Sequence, residues 1–193
     1  MTFEDIKKTF LKYNPDCFIK IIRNEKMKKD LLFVSTDGTL NRIEIFDEAK
    51  GLNKIAVIMY SIRRNRVFVS EIEVNENYQE NGIGRFMFEF AMAHGDLKGA
   101  TSIFGYALPT NNIKRVSSKH GLNRYEEETL HLIEIYKKLG CKFKQKGDYD
   151  NEMFEQTWKS GEKFKGLSEN IQNLAKELVK HQKDRNFEMV IDK

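Results

Sequence analysis

A change of periodicity at Gly82 constrains the fold of this chain more than any other sequence feature. Before it, the runs KIAVIMYSI and RVFVSEIEV are rich in β-branched residues and are joined by the polar stretch Arg63-Arg64-Asn65, which predicts a β-hairpin. After it, apolar residues recur every three or four positions. This spacing predicts a helix that starts at the glycines of QENGIG, Gln79 to Gly84, and ends near Gly95. The sequence therefore predicts a strand, a glycine loop and a helix in direct succession.

The same kinds of pattern predict further elements on both sides of this unit. In chain order they are a helix at 3–13, β-rich runs in CFIKIIRN and DLLFVSTDGTLNRIEIF with a two-residue turn at Asp37-Gly38, a strand at 101–108, a long polar loop at 109–124, a helix at about 125–139, a strand in CKFKQK, and a helical insertion at about 150–186 before a final strand at 187–192. Helices and strands are mixed, so the predicted fold class is α/β (α+β), in a single domain over residues 1–193.

The composition limits the classes of protein to which the chain can belong. A formal net charge of +4 is too small to indicate nucleic-acid binding by itself. With only Cys17 and Cys141, the chain lacks the disulfide framework of a small secreted domain, so we expect a reducing, cytoplasmic environment. No run of about 18 apolar residues and no signal-peptide pattern occurs, so we expect no membrane span.

The position of QENGIG suits an anion. The first turn of a helix has backbone N–H groups without internal partners and a partial positive charge, and glycines let a phosphate approach the backbone closely. The glycine spacing alone leaves a simple tight turn equally open. A dinucleotide-binding fingerprint needs a third glycine where Met87 stands, and the Gly-Lys-Ser/Thr of a P-loop does not occur.

A wider window resembles a known family. VSEIEVNENYQENGIGRFMF, Val69 to Phe88, resembles motif A of the GNAT (GCN5-related) N-acetyltransferases, and LIEIYKKLGCKF, Leu132 to Phe143, is similar to their motif B, with Cys141 where Phe is commoner. The resemblance covers roughly residues 54–146. It implies a GNAT-like mixed, mostly antiparallel, splayed central sheet flanked by helices.

The resemblance implies a coenzyme A site and assigns its residues. The strand end would pair through its backbone with the pantetheine arm, and the loop amides would bind the pyrophosphate; for this the Glu80 side chain would have to point to solvent. The residues are Ile72, Glu73 and Val74 on the strand and Gln79, Glu80, Asn81, Gly82, Ile83, Gly84 and Arg85 in the loop.

The resemblance also implies catalytic residues. Tyr136 corresponds to the general acid that protonates the departing thiolate, although a tyrosine on an apolar helix face is also compatible with a purely structural role. Glu71 and Glu73 lie two residues apart, so we expect them to share a strand face with Val67 and Val69, where burial and like charge raise a carboxylate pKa. Glu71 is the favoured general base, with Glu73 or a relayed water as alternatives.

The resulting hypothesis is an acetyl-CoA-dependent N-acetyltransferase that transfers acetyl directly to an amine, without an acyl-enzyme. A small-molecule amine is the first expectation for the acceptor and a protein amine the second. The alternatives are a CoA-binding regulatory module without turnover and a nucleic-acid-binding protein that uses the basic loop and the later helix. We expect no metal, because His94 and His131 lack a second ligand at metal spacing, and we leave a homodimer open.

Overall fold

The computed structural model describes residues 1–109, 124–143 and 152–191. Its strands are β1 (Phe18–Asn24), β2 (Lys29–Thr36), β3 (Asn41–Phe46), β4 (Lys54–Arg63), β5 (Arg66–Val74), β6 (Ser102–Tyr106), β7 (Lys142–Phe143) and β8 (Met153–Thr157). Its α-helices are α1 (Phe3–Tyr13), α2 (Ile83–Leu97), α3 (Arg124–Lys138), α4 (Glu162–Lys165) and α5 (Glu169–Ile191). Short 3-10 turns occupy Glu48–Lys50 and Glu76–Tyr78.

The described strands form one sheet in the order β1-β2-β3-β4-β5-β6-β8-β7. Neighbouring strands are antiparallel, except that β5 and β6 are parallel and are connected through α2. A parallel pair needs such a crossover, because the chain must return to the same end of the sheet. The predicted strand, glycine loop and helix are therefore the first part of this crossover, and the predicted mixed, mostly antiparallel sheet is confirmed.

Helices cover both faces of the first strands. Leu32 and Val34 pack with Ile6 of α1 on one face. The alternate residues Leu31 and Phe33 point to the other face, where they join the larger core with α2 and α5. This division follows from the strand period of two, which sends successive side chains to opposite faces.

The sheet opens between β5 and β6. Their pairing runs from Arg66 opposite Ser102 to Val69 opposite Gly105 and stops there, while β5 continues to Val74. Gly105 lies at the point of separation, where an added Cβ would be 2.8 Å from the Val69 carbonyl oxygen and 2.7 Å from Cζ of the Phe154 ring. Only a residue without a side chain fits here without displacing the backbone or this ring.

The tight hairpin between β4 and β5 is confirmed. Its two connecting residues, Arg64 and Asn65, have φ values of 49° and 59°. These left-handed conformations are those of a type I′ turn, whose twist matches that of the strands it joins. The turn predicted at Asp37-Gly38 is longer than expected, because four residues, 37–40, separate β2 from β3.

Two predictions near the C-terminal end are wrong. Residues 187–191 belong to α5 and not to a final strand, and the predicted helical insertion contains β8, which lies between β6 and β7 in the sheet. A six-residue alternation is a weak signal, and an existing helix gains one hydrogen bond with each residue added. Residues 110–123 of the predicted polar loop and 144–151 lie outside the described residues.

None of the helices in the described ranges has the length and hydrophobicity needed to cross a membrane.

Candidate active site

The glycine loop is anchored at its start by Tyr78. Its hydroxyl donates a 2.7 Å hydrogen bond to Oδ2 of Asp47, which also pairs with Lys29. Burial and this bond to a carboxylate raise the pKa of Tyr78 to about 12, so the phenol stays protonated and keeps donating. The next side chain, Gln79, donates from Nε2 to the Val74 carbonyl at 3.1 Å and so connects the loop to the end of β5.

The loop backbone has two left-handed residues and leaves a run of amides without a hydrogen-bond acceptor in the described ranges. Glu80 and Gly82 have φ values of 64° and 77°, and Gly82 caps α2 without a side-chain hydrogen bond. Within the loop, Nδ2 of Asn81 donates to the Gln79 carbonyl at 3.1 Å, and the Gly82 carbonyl accepts from the Phe86 amide at 2.9 Å. No residue in the described ranges accepts a hydrogen bond from the amides of residues 80–83.

These four successive amides form the arrangement that an anion requires, because orphan N–H groups at a helix start carry partial positive charge. The Glu80 side chain is exposed, which meets the condition set for it by the sequence. Arg85 is also exposed, and its Nε donates to Glu89 one turn further along α2 at 2.7 Å. Its guanidinium is therefore engaged along the helix surface.

A β-bulge at Ser70 decides where the two glutamates point. Tyr60 of β4 lies opposite Val69, and the preceding Met59 lies opposite Glu71, so Ser70 is an extra residue in β5. Tyr60 and Val69 are buried on the α2 side of the sheet. Since neighbouring residues of β4 alternate in direction, Met59 and Glu71 point to the opposite side.

The expectation that Glu71 and Glu73 share a face with Val67 and Val69 is therefore wrong. The bulge shifts the alternation by one residue, and both glutamates lie on the face remote from α2. There the negative charge of Glu71 lies near Arg42, whose pKa is raised chiefly by its hydrogen bond to Glu44 and further by this charge. The bulge also places Ile72 and Val74 on the α2 side, with Val74 close to Gly84.

Tyr136 is buried on the α2 side of the sheet, with 5% of its surface exposed. Its ring stacks on Phe154 with a centroid distance of 3.9 Å and meets Phe88 of α2 edge-on at 5.7 Å. Because Phe154 itself reaches Gly105, Tyr136 lies one ring away from the opening of the sheet. Burial raises the pKa of Tyr136, so its hydroxyl is protonated at neutral pH.

The structure thus brings most of the sequence-derived candidates to one region and separates the rest. The loop, the end of β5 and Tyr136 surround the opening between β5 and β6, while Glu71 and Glu73 lie on its far side. Residues 110–123 of the predicted basic loop lie outside the described part, and Arg124 is the first residue of α3. On α5, His181 donates to the Asp16 carbonyl at 2.8 Å and Lys176 lies over the Phe164 ring, so both make intramolecular contacts.

Sequence reasoning placed Asn81 in the loop but missed what its side chain does. The bond to the Gln79 carbonyl depends on a conformation with a left-handed non-glycine residue, and no local pattern indicates that conformation. No group of three or more potential metal ligands occurs within the described ranges.

The fold matches solved acyltransferase structures. The cAMP-binding acyltransferase from Mycobacterium smegmatis has a TM-score of 0.53 and 11% identity over 92% of this chain and 60% of its own. Its E234A mutant has a TM-score of 0.58 and 9% identity over 91% and 59%. The paia N-acetyltransferase from Thermoplasma acidophilum, solved in complex with coenzyme A, has a TM-score of 0.43 and 16% identity over 61% of this chain and 60% of its own.

Neither the protein-family models nor the curated proteins contain a match to this sequence. The chain spans about 60% of the length of the three solved structures named above. At these identities the likeness concerns the fold alone, and the fold is the one shared with the cAMP-binding acyltransferase structures.

Proposed function

We propose that the protein is an acetyl-CoA-dependent N-acetyltransferase that transfers an acetyl group directly to an amine. The observation that carries this proposal is the row of four loop amides, residues 80–83, beside a sheet that opens at Gly105. Acetyl-CoA has the matching chemistry, because it joins a pyrophosphate to an amide-containing arm that ends in a thioester.

The loop supplies the anion site. Amides that donate to no residue in the described ranges give up no such hydrogen bond when a pyrophosphate binds, so little of the binding energy is lost in rearranging the backbone. The opening supplies the second part of the site. Beyond Val69, β5 has no strand partner on its β6 side within the described residues, and an extended amide chain can hydrogen-bond to such an edge as a peptide does.

Tyr136 is the proposed general acid. Its ring is fixed by Phe154 and Phe88, and its hydroxyl stays protonated, so it can donate a proton to a thiolate that leaves in the opening. Glu71 is the proposed general base that takes a proton from the incoming amine, with Glu73 or a water as the alternative. With the bulge at Ser70, the side chains of Tyr136 and Glu71 lie on opposite sides of the sheet, which supports separate roles for them.

That separation suits direct transfer. A donor thioester held between β5 and β6 can be reached by Tyr136 from the α2 side while the amine approaches from the side of Glu71. Neither group has to change place during the reaction, and holding both reactants in one complex supplies much of the rate enhancement. A small-molecule amine is the proposed acceptor, and a protein amine is the second candidate.

Calorimetry with acetyl-CoA tests the binding step, and release of free thiol in the presence of small amines and peptides tests turnover. We expect binding below hundreds of micromolar and thiol release that depends on the amine. Absence of binding at that concentration would refute the proposal. Binding without turnover across the panel would instead identify a CoA-binding module.

A further inference from the structure

The turn between β1 and β2 contacts the glycine loop from a distant part of the sequence. Nδ2 of Asn24 donates to the Asn81 carbonyl at 3.1 Å, and Nζ of Lys26 donates to the Glu80 carbonyl at 3.1 Å. Oδ1 of the same Asn24 accepts from the Met27 amide at 2.9 Å and so shapes the turn itself. One asparagine side chain therefore ties the turn to the loop.

These two bonds bear directly on the direction of the loop amides. In a planar trans peptide, the carbonyl of one residue and the N–H of the next point in opposite directions. A donor that holds the Glu80 carbonyl therefore directs the Asn81 amide away from the turn, and a donor that holds the Asn81 carbonyl does the same for Gly82. The bonds from Asn81 to Gln79 and from Phe86 to Gly82 direct the amides of residues 80 and 83 in the same manner.

We propose that Asn24 and Lys26 are positioning residues that hold the amides of Asn81 and Gly82 ready for the pyrophosphate. We call these two residues the latch. The identity of the anion rests on the function proposed above, whereas the orientation of the amides does not. The latch also accounts for the left-handed Glu80, because the bond from Lys26 to its carbonyl offsets part of the cost of that conformation.

Lys26 has a second effect on the loop. Its ammonium group lies at the carbonyl of the one acidic residue in QENGIG, so it offsets the negative charge that Glu80 brings to an anion site. Lys26 belongs to the turn between β1 and β2, whereas QENGIG itself contains no Lys or Arg. The next residue, Arg85, is hydrogen-bonded to Glu89. The loop therefore supplies the amides for the anion, and the turn supplies a positive charge beside them.

We expect the latch to be separable from the stability of the protein. A cavity of about 250 Å³, whose lining includes Ile22, Leu31 and Phe86, lies between the β1–β2 turn and the start of α2. The turn is thus tied to the loop by hydrogen bonds across a space that is not filled by core side chains. Losing the latch should alter the loop and leave the core packing in place.

Four variants test the latch by calorimetry with acetyl-CoA and with inorganic pyrophosphate. Lys26→Met removes one donor, and Asn24→Ser removes the other while keeping an oxygen that can accept from Met27. Each substitution should lower the affinity for both ligands about three- to tenfold, which is the effect expected from losing one hydrogen bond. Lys26→Arg keeps a donor and should restore binding to within about twofold of wild type.

Arg23→Gln is the matched charge control, because Arg23 directly precedes Asn24 in β1 but pairs with Asp30 across the hairpin. It should bind both ligands about as wild type does, and all variants should unfold within about 2 °C of wild type. The loss of ligand affinity in Asn24→Ser should persist at about 0.5 M salt, because a purely electrostatic effect would be screened at that concentration.

The outcomes separate the two proposals. Unchanged binding in Lys26→Met and Asn24→Ser, or an equal loss in Arg23→Gln, would overturn the latch and leave the proposed function standing. If the wild type binds pyrophosphate but does not bind acetyl-CoA, the proposed function is refuted. The latch is then judged on the pyrophosphate affinities of the variants alone. If the wild type binds neither ligand, both the latch and the proposed function are overturned.

Discussion

His94 on α2 is a buried histidine whose ionisation should control the stability of the fold. The Tyr60 hydroxyl lies 2.7 Å from its Nδ1, and Oε1 of Gln182 on α5 lies 3.1 Å from its Nε2. Because the Gln182 oxygen can only accept, Nε2 carries the proton and Tyr60 donates to Nδ1. Gln182 in turn donates to Asp37 at 2.9 Å, which extends the network to the connection between β2 and β3.

The neutral imidazole satisfies both partners. A protonated ring would have to donate to the Tyr60 oxygen, which removes the acceptor of the Tyr60 hydrogen, and it would carry a charge in the core. Burial, the main cause, lowers the pKa of His94 from 6.5 to about 4. Because the pKa of His94 is lower in the folded state than in the unfolded state, the unfolded state takes up the proton at a higher pH than the folded state does. Its contribution to stability is therefore complete above pH 6.5 and is lost as the pH falls towards 4.

The size of the effect follows from proton linkage. For pKa values of 6.5 unfolded and about 4 folded, the free energy of unfolding should fall by about 2 kcal/mol between neutral pH and pH 5. The loss should reach about 3 kcal/mol at pH 4.

Urea unfolding from pH 4.5 to 7.5, in the wild type and in His94→Gln, measures this contribution as the difference between the two curves. The difference removes the titration of carboxylates common to both proteins. A difference that changes by less than about 0.5 kcal/mol over this range would refute the reasoning. An NMR titration of His94 in the folded wild type provides an independent check, since a midpoint near 6.5 would show that the ring is solvated.

Four further substitutions test the site. Tyr136→Phe should lower kcat at least about tenfold with unchanged acetyl-CoA affinity, as thiol release and calorimetry would show; an unchanged kcat removes this residue from the mechanism. Glu71→Gln should lower kcat/KM by a similar factor while Glu73→Gln does not, and equal losses would contradict the choice between them. Gly105→Ala should destabilise the protein by about 1–3 kcal/mol in urea unfolding, because its Cβ would meet a carbonyl oxygen and a stacked ring; a cost below about 0.5 kcal/mol would mean that the sheet adjusts freely.

Local patterns were sufficient for much of the framework. The hairpin with Arg64 and Asn65, the helix that begins after Gly82 and the glycine loop between strand and helix all follow from periodicity and turn chemistry within short windows. These features need no knowledge of what lies across the sheet.

Where sequence reasoning failed, one residue or one distant partner was decisive. The single extra residue at Ser70 reverses the direction of Glu71, and a count of alternate positions cannot detect a bulge. The strand at 153–157 was missed because its place in the sheet depends on its pairing with β6, about fifty residues earlier. The same holds for residues 187–191, where a short alternation competed with an existing helix.

The sequence by itself determined the order of the central elements and the place of QENGIG between a strand and a helix, because both depend on residues that are neighbours in the chain. Only the tertiary structure decided that the sheet opens at Gly105, that Glu71 lies on the face opposite Tyr136, and that the latch holds the loop carbonyls. Each of these depends on contacts between segments that folding brings together, and such contacts leave no periodic trace in the sequence.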